Sequence, residues 1–225
     1  MGITIVDVTY IKVLKESESS SIFQVSVEGK ICVLKVYHSM GKSHADPPDR
    51  DREVDTFTCE SVAYRRLKSK GLCQQGVVPD IYGVIERIDP SQISMAALSE
   101  KLSQGRTTPK CYPHGIHSKL TTNRPFDIFR KRIAKLRTIL KKIHEVRIYH
   151  DDPYPRNMMV QKDTSRVLWI DFDRAQTFSE GYIVERKWQW MEDEEEMIDE
   201  FLDALTEDYM DGKISRTWPY YYEYA

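Results

Sequence analysis

A long amphipathic helix, followed directly by a polar loop and two short apolar segments, constrains this chain more than any other feature. Between residues 125 and 146, apolar side chains recur on one stripe, and Lys, Arg and Thr occupy the other side. The stripe consists of Phe129, Ile133, Leu136, Leu140 and Ile143. Met158–Val160 and Val167–Ile170 then predict the two strands of a hairpin. A polar loop is therefore expected between a helix and a hairpin.

The N-terminal part of the chain predicts a small antiparallel sheet and one helix. Residues 3–38 are rich in Val, Ile, Phe and Tyr, and residues 28–30 read as a hairpin turn. Helical spacing over residues 52–69 ends before Gly71, which suits a helix C-terminus. The apolar residues of segment 77–88 predict one or two further short strands.

The order of these elements predicts an α+β fold with three segments. We expect a sheet and one helix in residues 1–88, a polar linker or insertion in 89–124, and a mainly helical part in 125–225. Apolar residues at helical spacing after residue 190 predict one more helix within an acidic run. The run itself, residues 192–196, is interpreted as a solvated face or a surface for basic partners.

Composition limits the classes of partner and compartment. The 33 Lys and Arg residues against 35 Asp and Glu residues give a formal net charge of −2, so neither nucleic acid nor a membrane surface is expected as a partner. No leader pattern or long apolar run is present, which predicts an intracellular protein in the cytoplasm or the nucleus. The four cysteines form no CxxC pair, so free thiols are expected and a structural zinc site is not.

Two motifs bring together the residue types that phosphoryl transfer needs. The segment His150–Asn157 has the pattern H-x-D-x-x-x-x-N, and Asp171 follows the second strand of the hairpin. Phosphoryl transfer is accelerated by metal ions, cations and positioning of the acceptor, because its transition state spreads negative charge over oxygens. Asp171 alone would also suit the cap of a turn, but its place after the His150–Asn157 motif favours a role in the site.

These motifs resemble the catalytic loop and the metal-binding loop of the protein-kinase-like superfamily, in particular the compact kinase-like proteins common in fungi. The resemblance implies a two-lobed fold with an antiparallel N-lobe sheet and an abbreviated helical C-lobe. It also implies that Asp152 orients or deprotonates the acceptor hydroxyl, that Asn157 and Asp171 hold Mg²⁺, and that His150 braces the loop.

Two residues nearer the N-terminus extend the resemblance. The segment Val33–Tyr37 is similar to the third-strand V-A-I-K motif, which makes Lys35 the candidate for the α- and β-phosphates of ATP. Glu60 resembles the helical partner that holds this lysine in place. Taken alone, a lysine in a strand or a glutamate on a helix is usually a solvated surface residue.

Several departures from the family pattern keep two functions open. Residues 15–21, where a glycine-rich phosphate loop is expected, contain no glycine, and the metal loop has Asp173 in place of the D-F-G glycine. No apolar strand leads into a hinge between residues 88 and 125. The first function is a Mg-ATP-dependent phosphotransferase that acts on protein Ser/Thr or a small-molecule alcohol. The second is a pseudokinase that binds partners without efficient catalysis, and an unrelated α+β domain is the third reading.

Overall fold

The structure, a computed structural model, describes five ranges of the 225-residue chain. These are residues 8–17, 19–38, 52–85, 126–161 and 166–222. They form an antiparallel sheet on the N-terminal side and a mainly helical C-terminal part, which confirms the predicted α+β class. The described residues divide into two compact units, one made of residues 8–38 and 82–85 and the other of residues 52–81 and 126–222.

The first unit contains a three-stranded antiparallel sheet in the order β1-β2-β3. The strands are β1 (Val8–Glu16), β2 (Ser20–Val27) and β3 (Lys30–Tyr37). Glu28 and Gly29 join β2 to β3, with φ angles of 49° and 77°. Two consecutive left-handed residues are characteristic of the type I′ turn, whose twist matches that of the flanking strands. The predicted hairpin turn is confirmed.

The second unit begins with helix α1 (Thr56–Ser69) and the single-turn helix α2 (Leu72–Gln75). The side chain of Asp55 accepts the Thr58 N–H at 2.6 Å, which satisfies one of the unpaired donors of the first turn. Beyond the helix, Gly71 has a φ of 80°, a conformation that costs glycine little. The helix ends before Gly71 as predicted, but it begins at Thr56 instead of Arg52.

The strands predicted in segment 77–88 are wrong as far as the structure describes it. Residues 77–85 form irregular chain, and residues 86–88 lie outside the described part. Val78 is buried in the core, and the Val77 carbonyl accepts the Trp169 N–H at 3.2 Å. Val77 and Val78 pack in the core of the second unit without forming a strand ladder.

The remaining elements pack around one large apolar core and one small apolar cluster. They are α3 (Phe126–Glu145), β4 (Ile148–Tyr149), β5 (Met158–Val160), β6 (Val167–Trp169), β7 (Gln176–Thr177), α4 (Glu185–Asp211) and α5 (Trp218–Tyr222). β5 and β6 form the predicted hairpin, and β4 pairs with β7. The fully buried side chains include Ile133, Leu136, Leu140 and Ile143 of α3, with Trp169 and Phe201 against them.

The predicted segment boundaries stay a prediction. Residues 89–124 lie outside the described part, and helix α1 shares its compact unit with residues 126–222. The buried residues Ala63 and Leu67 of α1 belong to the same core as helix α3. None of the helices in the described ranges has both the length and the hydrophobicity needed to cross a membrane.

Candidate active site

Asp152 and Asn157 are joined inside the loop between β4 and β5. The amide Nδ2 of Asn157 donates to the backbone carbonyl of Asp152 and to its Oδ2, both at 2.9 Å. The two residues are only 7 % and 2 % exposed. Because Nδ2 makes both contacts, the oxygen of the Asn157 amide is directed away from Asp152. The loop therefore presents a carboxylate and an amide oxygen in a fixed arrangement.

Arg156 completes this arrangement, although the sequence motif did not single it out. Its Nη2 lies 2.6 Å from Oδ1 of Asp152, and its Nε lies 3.2 Å from Oδ2. The guanidinium also lies over the Tyr154 ring, 4.8 Å from its centroid. A two-point contact of this kind fixes the plane of a carboxylate as well as its position. The Asp152 side chain is thus held in one orientation.

His150 links the loop to the segment that carries Asp171. It is fully buried, and its Nε2 lies 3.2 Å from the carbonyl oxygen of Ile170. A carbonyl only accepts hydrogen bonds, so the ring proton lies on Nε2. The ring centroid lies 4.6 Å from that of Phe172 and 5.3 Å from that of Trp169. His150 is therefore positioned to brace the loop against the end of β6.

Asp171 follows the β5–β6 hairpin, whose register brings it close to Asn157. Met158 pairs with Trp169, and the Ile170 N–H donates to the Asn157 carbonyl at 3.1 Å. Asp171 itself has a φ of 65°, in the left-handed region that aspartate tolerates better than most residues. Asn157 therefore lies opposite Ile170 across the hairpin, and Asp171 is the next residue along the chain.

The donor atoms of this site fit Mg²⁺. Mg²⁺ is a hard cation that takes oxygen ligands, commonly one or two from the protein and the rest from phosphates and water. Asn157 and Asp171 offer an amide oxygen and a carboxylate. The described residues contain no group of three or more His, Cys, Asp or Glu side chains that could hold a metal ion. The site suits a cation that arrives with a phosphate ligand.

Glu194 of helix α4 fixes the backbone of the loop. It is 4 % exposed, its Oε2 accepts the His150 N–H at 3.2 Å, and its Oε1 accepts the Asp151 N–H at 2.5 Å. Nε2 of His144 lies 2.8 Å from the same Oε2. The interpretation of residues 192–196 as a solvated face is wrong at this position.

The burial of Glu194 could have been predicted from its spacing in the sequence. The buried positions of α4 are Met191, Glu194, Ile198, Phe201, Leu205 and Asp208. Their spacing alternates between three and four residues, which is the spacing of one helical face. An acidic residue on an apolar stripe must find donors, because a buried carboxylate without them is costly.

The charges of Glu60 and Asp171 both act on the hydroxyl of Tyr64 in helix α1. Burial raises the pKa of the Tyr64 hydroxyl well above its usual value, and the charges of Glu60 and Asp171 raise it further. The Tyr64 ring makes an edge contact with Phe172, at 5.2 Å between centroids. Glu60, Asp152, Asn157 and Asp171 all belong to the second unit.

Lys35 belongs to the first unit. It lies on β3 opposite Ile22, and its Nζ is 4.9 Å from the centroid of the Tyr37 ring. The connection that replaces a glycine-rich loop is short, since β1 ends at Glu16 and β2 begins at Ser20. Ser17 Oγ donates to the Ser20 carbonyl at 2.9 Å, so its hydroxyl proton is engaged within the turn.

A family model confirms the predicted superfamily. The model of the lipopolysaccharide kinase (Kdo/WaaP) family matches residues 53–190, more than half of the chain. The chain belongs to this family. No curated protein matches it.

The matched range includes Glu60, His150, Asp152, Asn157 and Asp171. The family is a kinase family within the protein-kinase-like superfamily, so phosphotransferase chemistry and the use of ATP follow from membership. The sheet with Lys35 and the Glu194 carboxylate lie outside the matched residues. The likeness to fungal kinase-like proteins stays a prediction.

Proposed function

We propose that this protein transfers the γ-phosphate of Mg-ATP to a hydroxyl group of a protein or a small-molecule alcohol. The observation that carries the proposal is the buried pair of hydrogen bonds from Asn157 Nδ2 to Asp152. In the proposed site, this arrangement leaves the Asp152 carboxylate for the acceptor hydroxyl and the Asn157 amide oxygen for the metal. A phosphoryl-transfer site needs these two functions next to each other.

Each residue has a distinct role in the proposal. Asp152 orients the acceptor hydroxyl and receives its proton, while Asn157 and Asp171 hold Mg²⁺ on the phosphates. The metal neutralises charge on the transferred group when it is bound. His150 keeps the Asp152 loop in place through its contact with the Ile170 carbonyl.

Lys35 and Glu60 provide the second half of the nucleotide site in this proposal. Lys35 contacts the α- and β-phosphates, and Glu60 holds the lysine by an ion pair. Lys35 and Glu60 belong to different units, so the proposed ion pair between them rests on the family pattern. Lys35→Met tests it, with the expected result that Mg-ATP binding weakens while the free energy of unfolding without ligand changes little.

Thermal unfolding with and without millimolar Mg-ATP tests the proposal without knowledge of the acceptor. A ligand that binds only the folded state stabilises it by RT ln(1 + [L]/Kd), so at about 100 Kd the gain is roughly 2.7 kcal/mol. We expect a Mg²⁺-dependent rise in Tm that is lost in Asp171→Asn. Release of phosphate from ATP, abolished in Asp152→Asn, is expected alongside it. Unchanged Tm values would favour the pseudokinase alternative.

A further inference from the structure

Arg52, just before helix α1, contacts the catalytic loop. Its guanidinium Nη2 forms an ion pair with Oδ2 of Asp151, the residue before Asp152. The guanidinium carbon lies 5.7 Å from the centroid of the Trp190 ring. The two charged side chains are 32 % and 13 % exposed, so water and salt screen this pair less than an open surface pair.

Asp151 is held on two sides. Its backbone has a φ of 62°, in the left-handed region, and its N–H donates to Glu194. A residue other than glycine stays in this region only where its surroundings hold it there. Helix α4 thus fixes the backbone of Asp151, and Arg52 fixes its side chain.

The start of α1 is tied to the same region at a second point. The Glu53 N–H donates to Oε1 of Gln176 at 2.9 Å, and Gln176 Nε2 donates to the Glu53 carbonyl at 3.0 Å. Gln176 lies on β7, where it pairs with Tyr149 of β4, and β4 leads directly into His150. The residues that precede α1 and the residues of the catalytic loop therefore share one network of contacts.

We propose that Arg52 is a positioning residue, whose ion pair with Asp151 couples the catalytic loop to the start of helix α1. Displacement of α1, which carries Glu60, then shifts the backbone beside Asp152. Displacement of that backbone likewise shifts α1. The claim that this coupling serves catalysis rests on the proposed function. The coupling itself is a property of the second unit and is measurable without any substrate.

Amide hydrogen exchange of the full chain tests the coupling with a charge swap. Arg52→Glu and Asp151→Arg are each expected to speed exchange at least about tenfold in peptides from both segments, 52–60 and 148–157. The double variant is expected to restore both to within about threefold of wild type, because the opposite charges meet again. Exchange in residues 198–205 of α4 is expected to stay constant. Faster exchange confined to the peptide that carries the substitution would overturn the proposal.

Two further variants guard against a failure to fold. Asp151→Asn keeps a side chain that tolerates the left-handed backbone and removes only the charge. It is expected to reproduce the exchange pattern of Arg52→Glu, and combining the two is expected to add nothing further.

Arg186→Glu is the matched control, because Arg186 also lies over the Trp190 ring, at 5.1 Å from its centroid. The same pattern in this control would contradict a specific role for Arg52.

Kinetics separate a positioning role from a purely structural one. Arg52→Gln is expected to lower kcat for ATP turnover about tenfold while KM for ATP stays within about twofold, since the nucleotide contacts are retained. An unchanged kcat with faster exchange would reduce the ion pair to a structural contact. A wild-type chain that neither binds nor turns over Mg-ATP would contradict the proposed function, and the exchange experiment would still decide the coupling.

Discussion

The Oε1 atom of Glu194 lies 2.5 Å from the backbone nitrogen of Asp151, so a side chain of helix α4 holds the residue next to Asp152. The second oxygen of the same carboxylate accepts from the His150 backbone and lies 2.8 Å from His144 Nε2. Three nitrogen atoms thus converge on one buried carboxylate. The shape of the catalytic loop depends on a residue more than forty positions away in the sequence.

Glu194→Gln is expected to destabilise the protein by about 2–3 kcal/mol. Glutamine retains one acceptor oxygen, so at least one buried N–H loses its partner, and an unpaired buried donor costs roughly 1–3 kcal/mol. Urea unfolding monitored by circular dichroism measures the change. Glu192→Gln, at an exposed position of the same helix, is the control and is expected to shift stability by less than about 0.5 kcal/mol. Equal midpoints for the two variants would contradict the prediction.

Asp208 is expected to stabilise the protein in a pH-dependent way. Burial disfavours its charged form, but hydrogen bonds from the Thr217 hydroxyl and from the N–H groups of residues 215–217 outweigh burial and lower its pKa from 3.8 to about 2. Because the folded pKa lies below the unfolded one, this contribution is present above about pH 4 and is lost as the pH falls towards 2.

Asp208→Asn tests that contribution. The variant is expected to be less stable than wild type by roughly 2 kcal/mol at neutral pH, and the difference is expected to shrink between pH 4 and pH 2. Urea unfolding at a series of pH values measures it. Asp203→Asn, at an exposed position of α4, serves as the control. A difference that does not vary with pH would show that the carboxylate charge is not involved.

Cys59 is expected to be a poorly reactive thiol. Burial and the charges of Glu53, Asp55 and Asp173 together raise its pKa to about 11. The reactive thiolate is therefore scarce at pH 8. Alkylation by iodoacetamide, followed by mass spectrometry, is expected to be at least about a hundredfold slower at Cys59 than at the partly exposed Cys32.

The raised pKa of Cys59 also predicts that the protein loses stability in alkali. Its folded pKa lies above its ordinary value of 9.0, so the unfolded chain releases its proton first and stability falls as the pH rises from about 9 to 11. Cys59→Ala is expected to show a smaller decline over this range. Comparable labelling rates at Cys59 and Cys32, together with equal declines, would contradict the assigned burial.

Trp169→Phe is expected to cost about 2–3 kcal/mol of stability. Trp169 is fully buried, and its Nε1–H donates to the Leu136 carbonyl at 2.9 Å. Phenylalanine removes that donor and leaves a small cavity, two losses that add. Trp218→Phe is the control, because Trp218 is 50 % exposed. Chemical unfolding that ranks the two variants equally would exclude a structural role for the indole N–H.

The elements predicted from the sequence are those whose signals are local. The turn at Glu28 and Gly29, the cap of α1 and the periodic stripe of α3 depend on neighbours within a few residues. The loop of residues 150–157 was predicted to lie between a helix and a hairpin, because both flanking elements have local signals. In each case the local preference and the tertiary contacts agree.

The features that sequence reasoning missed depend on distant partners. Val78 packs in the core and the Val77 carbonyl accepts the Trp169 N–H, and neither partner lies nearby in the sequence. Glu194 was predicted to be solvated because its sequence neighbours are acidic, although it lies on the buried stripe of α4. A spacing test applied to charged residues as well as apolar ones would have selected it.

The two buried acids of α4 also lie at a fixed spacing along one helix face. Glu194 holds the catalytic loop and Asp208 holds the turn before α5, and the helix separates them by about 21 Å at 1.5 Å per residue. One residue inserted between them would rotate one acid by about 100° relative to the other and withdraw it from its donors. An insertion of seven residues would preserve both faces. A change of one residue in the length of this helix is therefore expected to break one of these two sets of hydrogen bonds.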